Sequence, residues 1–332
     1  MDHSSKVAVT MGDPAGIGPE IIIKAFWEGV PSVQAIVIGD ADCLRSAAQK
    51  FAPTLTIHPV SSIESAQFEP GTLDVLDLAN VSPRLPAGQP SAQGGEASVQ
   101  FIRKAVDLAV DHKVDAVTTA PISKESMHLA GHPYPGHTEL LAKLTGSTDS
   151  ALMLAGGKLR VVLVTTHVPL EKVQPLITQE RLIKILKLTH QWLSRHVKAS
   201  PHIAVTGLNP HCGDGGIFGE EEKIVIIPAL EQAREEGIQA SGPFSADALF
   251  PSARSGEYDA VVAMYHDQGM IPVKMESMGS AVNITLGLPI IRTSVDHGTA
   301  YDITGKGIAC PQSLKSAIQT AVELSKPKLA PK

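Results

Sequence analysis

The stretch TMGDPAGIGPE, Thr10–Glu20, decides the fold. It follows an apolar run, Val7–Thr10, and precedes a helical pattern, Pro19–Phe26, so it stands where a dinucleotide-binding fingerprint would stand. That fingerprint, G-x-G-x-x-G, needs its third glycine for close packing of helix on strand. Here Gly16 and Gly18 are followed by Ile21 where the third glycine belongs. No G-x-x-x-x-G-K-[ST] occurs either, so neither a Rossmann domain nor a P-loop is supported. Two readings of the loop stay open: a tight turn with Pro19 at a helix start, or direct contact with a ligand.

Outward from this loop, short apolar runs alternate with amphipathic segments. Val7–Thr10, Ala35–Gly39, Ala116–Thr119, Leu159–Thr166, His202–Thr206, Ala260–Tyr265 and Val282–Leu286 read as strands. Pro19–Phe26, Ala41–Phe51, Glu96–His112, Thr138–Thr145, Gln179–Arg195, Glu220–Glu236 and Pro311–Leu324 read as helices. In Gln179–Arg195, Leu182, Ile185, Leu186, Leu188, Trp192 and Leu193 fall mostly at helical spacing, so one face is expected to be buried. Such alternation predicts an α/β fold with a mostly parallel sheet. Pro83–Gly95, PRLPAGQPSAQGG, reads as a linker or a surface loop, and the tail Lys326–Lys332 is expected to fray.

The 332 residues suffice for two domains with their own cores. With 28 basic and 34 acidic residues the net charge is −6. A diffuse negative field suits neither nucleic acid nor an anionic membrane surface, so local basic residues must hold any anionic substrate. Three widely spaced cysteines, Cys43, Cys212 and Cys310, make no CxxC pair. A disulfide framework is not expected, and a reducing, cytoplasmic setting fits. The only apolar run near the N-terminus, Val7–Thr10, is too short for a signal peptide or a membrane span.

Three segments share one design: VVLVTTH ends at His167, IAVTGLNPH at His211 and AVVAMYH at His266. Ligands of open α/β sheets bind at the carboxyl ends of strands, and strands distant in sequence can lie side by side. Three imidazoles with an open position would make a catalytic zinc-type site. The spacings, 44 (211−167) and 55 (266−211), match no local zinc motif. The plainer alternative is three loop histidines that make ordinary hydrogen bonds.

Other candidates surround these. YPGHTELLAKL puts His137 and Thr138 at a helix start, which suits a phosphate or carboxylate, or else Thr138 is simply the cap. Lys274, Asn283 and Arg292 lie in or beside strand-like segments near His266, as an anion clamp would. SVDHGTAYDITGKGIACP, Ser294–Pro311, is rich in small residues with Asp296, His297 and Asp302 interleaved. An acidic residue in such a loop can hold the ribose hydroxyls of NAD.

MGDPAGIGPE, APISKESMHLAG with YPGHTELLA, TTHVPL, GLNPHCGDGGIFGEEE, MYHDQGMIPVK and VNITLGLPIIRTSVDHGTAYDITGKG together resemble the 4-hydroxythreonine-4-phosphate dehydrogenase family over nearly the whole chain. The last motif is also similar to the adenosine-binding loop of isopropylmalate and isocitrate dehydrogenases. The resemblance implies an isopropylmalate dehydrogenase-like α/β fold of two α/β domains with an active-site cleft between them. Residues 1–125 with 287–332 would form one domain and carry the cofactor loop. Residues 126–286 would form the other, with the metal ligands and the dimer interface. It implies a divalent metal, zinc before magnesium or cobalt, on His167, His211 and His266. It places substrate on His137, Thr138, Lys274, Asn283 and Arg292, and NAD on Asp296, His297, Gly298 and Asp302. It also implies a homodimer whose site is built from both chains. Family members vary around Tyr301–Gly305.

The implied reaction is NAD-linked oxidation of 4-phosphooxy-L-threonine at its 3-hydroxyl. Decarboxylation then gives 3-amino-2-oxopropyl phosphate, for pyridoxal phosphate. The metal would acidify the hydroxyl and stabilise the enolate, with His266 as ligand and Lys274 as the proton-transfer group. Relatives that oxidise phosphorylated four-carbon sugar acids (4-phospho-D-threonate or erythronate) or aromatic cis-dihydrodiols are the alternatives. A metal-dependent hydrolase or lyase, and a non-catalytic binding protein, are the readings outside the dehydrogenases.

Overall fold

The structure, a computed structural model, describes residues 5–30 and 33–326. The tail expected to fray lies, from residue 327 on, outside the described residues. The strands are β1 (Lys6–Thr10), β2 (Gln34–Gly39), β3 (Thr56–Val60), β4 (Thr72–Asp77), β5 (Ala116–Thr119), β6 (Ala151–Gly156), β7 (Leu159–Leu163), β8 (Ile203–Thr206), β9 (Ala240–Phe244), β10 (Ala260–Ala263), β11 (Val282–Leu286) and β12 (Ile291–Val295). The helices are α1 (Gly18–Trp27), α2 (Ala41–Phe51), α3 (Ala92–Val110), α4 (Lys124–Leu129), α5 (His137–Thr145), α6 (Val173–Leu176), α7 (Gln179–His196), α8 (Ile227–Glu235), α9 (Ala246–Ser255), α10 (His266–Ser277) and α11 (Gln312–Ser325). The chain divides into two compact units, Met1–Thr148 with Leu288–Lys332, and Asp149–Gly287. Residues 126–148, with α4 and α5, fall in the first.

In the first unit the strand order is β3-β4-β2-β1-β5-β12, and every pairing is parallel. The inner strands are buried along almost their full length, as continuous runs of Val, Ile and Ala require when helices cover both faces. Ile21, Ile22 and Ile23 of α1, Leu44 of α2, Phe101 of α3 and Ile318 of α11 close the core. A second face of α3, with Val99, Ile102 and Val106, packs on Met127, Leu140 and Leu141. That face fixes α4 and the start of α5. The α3 helix begins at Ala92 rather than at the expected Glu96, capped by Ser91, whose Oγ accepts from the Gly94 N–H at 3.0 Å. Gly95, which looks like part of a loop, is the point of closest approach: a Cβ there would lie 1.9 Å from the carbonyl of Ser126.

In the second unit the order is β11-β6-β7-β10-β8-β9. The β6 strand runs antiparallel to β11 and β7, and β7, β10, β8 and β9 are parallel. The expected α/β class with a mostly parallel sheet holds. Strands β3, β4, β6, β9 and β12, and helices α4, α6, α9 and α10, are additions to the pattern read from the sequence. At the end of the first unit's order, β3 is partly exposed and holds Pro59, which a ladder tolerates only at an edge. In β12, IRTSV, the side chains of Arg292, Thr293 and Ser294 are buried, so no apolar run marks it. The expected strand Ala260–Tyr265 stops at Ala263, and His266 opens a helix. Lys274, expected in or beside a strand-like segment, lies on that helix.

Candidate active site

In the first unit, His137 and Thr138 occupy the first turn of α5. The cap is Gly136, with no side-chain capping bond, so Thr138 is not the cap and no side chain caps the first-turn N–H groups. His137 Nε2 is buried with no hydrogen-bond partner among the described residues. Burial, and then the positive charge of Arg292, hold its pKa well below the usual histidine value, so the ring is neutral. Arg292 lies on β12, 3% exposed, and its Nη2 donates to Thr119 Oγ1 on β5 at 2.6 Å. Burial pulls the guanidinium pKa down to about 9. A free helix start, an orphaned imidazole nitrogen and a desolvated guanidinium converge, and each would be satisfied by an anion.

The same unit holds the loop after β12. Asp296 donates its N–H to Ser313 Oγ at 3.2 Å, His297 Nδ1 lies 3.1 Å from the Gly298 carbonyl, and Asp302 is exposed on the short turn Tyr301–Ile303. Residues that the sequence does not mark as functional fix this loop. Tyr301 donates its hydroxyl to Asp13 Oδ2 at 2.7 Å and meets Ser126 Oγ at 3.0 Å. The N–H of Ile17 donates to the Thr299 carbonyl at 3.0 Å. Lys24 Nζ donates to the carbonyls of Gly307 and Ala309 at 2.7 and 2.9 Å, and Glu20 Oε1 accepts from the Ala309 N–H at 2.9 Å. Thr10–Glu20 thus braces the Ser294–Pro311 segment through backbone and buried side chains.

In the second unit the rings of His167 and His266 lie 5.5 Å apart between centroids. His266 Nδ1 is 2.7 Å from Asp267 Oδ1. The carboxylate can only accept, so Nδ1 carries a proton and Nε2 is the ring atom left to ligate a metal. His211 repeats the arrangement, Nδ1 to Asp214 Oδ2 at 3.2 Å. A carboxylate behind the imidazole is what orients a metal-ligating histidine, so the donor chemistry fits a divalent cation. Among the described residues no group of three or more His, Cys, Asp and Glu side chains gathers to hold one; His167 and His266 are the two of the three whose rings lie together.

The stretch AMYHDQGMIPVK therefore ends its strand to start α10, and Gln268 explains its position. Gln268 Oε1 accepts from Thr206 Oγ1 at 2.8 Å and from the Met264 N–H at 2.7 Å, while Nε2 donates to the Gly207 carbonyl at 2.7 Å. One amide ties the first turn of α10 to the ends of β8 and β10. Lys274 lies two turns further on, about 12 Å along the axis, and is exposed; Asn283 is on β11, half-buried.

Comparison with known proteins places this geometry. A family model described as pyridoxal phosphate biosynthetic protein PdxA matches residues 32–321. The 4-hydroxythreonine-4-phosphate dehydrogenase of Geobacter metallireducens is 45% identical over 328 residues, 97% of this chain and 96% of that protein. The D-threonate 4-phosphate dehydrogenase of Cupriavidus necator is also 45% identical, over 331 residues and 98% of each. The crystal structure of a 4-hydroxythreonine-4-phosphate dehydrogenase from Klebsiella pneumoniae superposes with a TM-score of 0.92 at 44% identity, covering 97% of this chain and all of that one.

Proposed function

Because the chain belongs to the pyridoxal phosphate biosynthetic protein PdxA family, we propose that it is a dehydrogenase that oxidises 4-phosphooxy-L-threonine with NAD and releases CO₂. The product is 3-amino-2-oxopropyl phosphate, for pyridoxal phosphate synthesis. The observation that carries the substrate class is the anion site of His137, Thr138 and Arg292, where a neutral ring and a buried guanidinium converge on an uncapped helix start.

His167, His211 and His266 are the proposed holders of a divalent metal, zinc first, with Asp267 and Asp214 keeping His266 and His211 in the ligating tautomer. When bound, the metal supplies Lewis acidity at the 3-hydroxyl and at the enolate left after CO₂ departs. Lys274 is the proposed proton-transfer group, and Asn283 a further donor to substrate. Asp296, His297, Gly298 and Asp302 are the proposed contacts of NAD, in a loop that Tyr301, Lys24 and Glu20 hold rigid. Homodimerisation, with each site completed by the second chain, is part of the proposal. It is supported by exposed apolar side chains of the second unit: Phe218, Ile271, Met275 and Met278 are 53%, 54%, 72% and 89% exposed. A cytoplasmic setting is supported by three free cysteines, and among the described residues no helix is long and apolar enough to cross a membrane.

A second reading has its own observation. D-threonate 4-phosphate dehydrogenases match as closely as the threonine-type enzymes do, so a phosphorylated four-carbon sugar acid is the alternative substrate. Turnover of both compounds with NAD and a divalent metal, with identification of the product, tests the reading; activity without NAD would place the chain outside the dehydrogenases.

A further inference from the structure

His211 stands on a backbone that its own side chain disfavours. From His211 to Gly215 the φ angles are 52°, 55°, 79°, 41° and 70°. His211, Cys212 and Asp214 carry a Cβ, so a left-handed turn of this length needs support from outside it. The support comes from a π-helical turn, Glu222–Ile226, that runs into α8. The Glu222 side chain is 2% exposed. Its Oε1 accepts from the N–H groups of Leu208 and Asn209, both at 2.8 Å, and its Oε2 accepts from Asn209 Nδ2 at 3.0 Å. The Asn209 carbonyl in turn accepts from the Cys212 N–H at 3.1 Å, the first bond of the turn that carries His211. On either side of Glu222, Glu221 Oε2 accepts from Asn209 Nδ2 at 2.7 Å and Lys223 Nζ donates to the Gly215 carbonyl. Both ends of the loop are gripped by three successive side chains.

We infer that Glu222 is the positioning residue of this loop: it acts through the backbone of Leu208 and Asn209 to hold the turn that carries His211, the residue proposed above as a metal ligand. The inference rests on the reading of His211 as a ligand. A carboxylate is the group the position calls for. It accepts three hydrogen bonds and donates none, and its charge makes each stronger than a neutral equivalent. A glutamine keeps the shape, but with its oxygen on the two backbone N–H groups its amide would face the amide of Asn209, donor against donor.

Glu222→Gln tests this, with zinc as the probe, by chelator-competition affinity and by hydrogen exchange of the peptide 207–216 in metal-free protein. Exchange there is expected to rise, and zinc affinity to fall, at least about tenfold, while exchange in α8 and the melting temperature change little. Glu222→Ala should do the same or more; if it does not fold, the glutamine variant decides. Unchanged exchange in 207–216 overturns the inference. So does a loosened loop with unchanged zinc affinity in a protein where His211→Ala abolishes binding. If His211→Ala binds zinc normally, the ligand reading fails instead, and the exchange measurement alone decides whether Glu222 holds the loop.

Discussion

His137 shows how much a single ring with one buried nitrogen can report. Two causes act in one direction on it: burial disfavours the imidazolium, and the Arg292 charge repels it. Its folded pKa therefore lies well below the unfolded value of about 6.5. As pH falls through 6.5 the unfolded chain takes up this proton and the folded chain does not, so the contribution to stability is intact above 6.5 and is lost progressively below it. The slope from this one group approaches about 1.4 kcal/mol per pH unit. Unfolding free energies between pH 7 and 5 should be less pH-dependent in His137→Asn by that amount. Parallel curves for the two proteins would show that the ring is charged in the fold. His167, His211 and His266 stand out in the sequence because each follows an apolar strand pattern. Glu222, Asp13 and Tyr301 do not: Tyr301 meets Asp13 from 288 residues away, and nothing local to any of them signals the pairing.

At the scale of elements, α10 is where sequence and structure part most usefully. Its sequence, HDQGMIPVKMES, holds a glycine and an internal proline and puts polar residues first, so no helical stripe shows, and Lys274 reads as in or beside a strand-like segment. The glycine is a packing choice. A Cβ on Gly269 would lie 2.7 Å from Val161 Cγ1 and 2.8 Å from Leu163 Cδ2, atoms of β7 that are buried and cannot give way cheaply. The helix thus lies close on its sheet, and His266 and Lys274 are carried at that height. Gly269→Ala should overpack this contact and cost about 1–3 kcal/mol of stability, read by denaturant unfolding. Zinc affinity should fall with it, because His266 lies less than one turn away. A neutral effect on both would mean that α10 moves freely on β7. Strands β4 and β12 were hidden for a related reason: Asp74 and Arg292 are buried with partners, and buried polar residues erase the apolar pattern that periodicity detects.

For the whole molecule, two questions are answered by solution measurements: how many chains make the enzyme, and which anion it was built for. The exposed apolar set on α10, Ile271 and Met275, together with Met278 just after it, is the surface a second chain would cover in the proposed dimer. Light scattering should give a dimer, and Met275→Glu should shift it toward monomer with loss of activity. A fully active monomeric variant would refute a shared site. The substrate question turns on Arg292. The fold bears the cost of burying that guanidinium beside a helix start, and an anion held by several such donors gains more than the ~1.5–3 kcal/mol of one charged hydrogen bond. Binding energy at the phosphate also positions the reacting carbon, so its loss should lower turnover as well as affinity. Unphosphorylated 4-hydroxythreonine should therefore be the poorer substrate by at least about a hundredfold, or about 2.7 kcal/mol. Arg292→Ala should erode use of the phosphorylated compound far more than that of the unphosphorylated one. Equal losses would assign Arg292 to the carboxylate, and preference for an uncharged diol would remove the anion site from the mechanism. Turnover of D-threonate 4-phosphate alone would keep the site and change the pathway, because both compounds would present a phosphate to the same buried guanidinium and differ at the carbon next to the one oxidised, an amino group in one and a hydroxyl in the other.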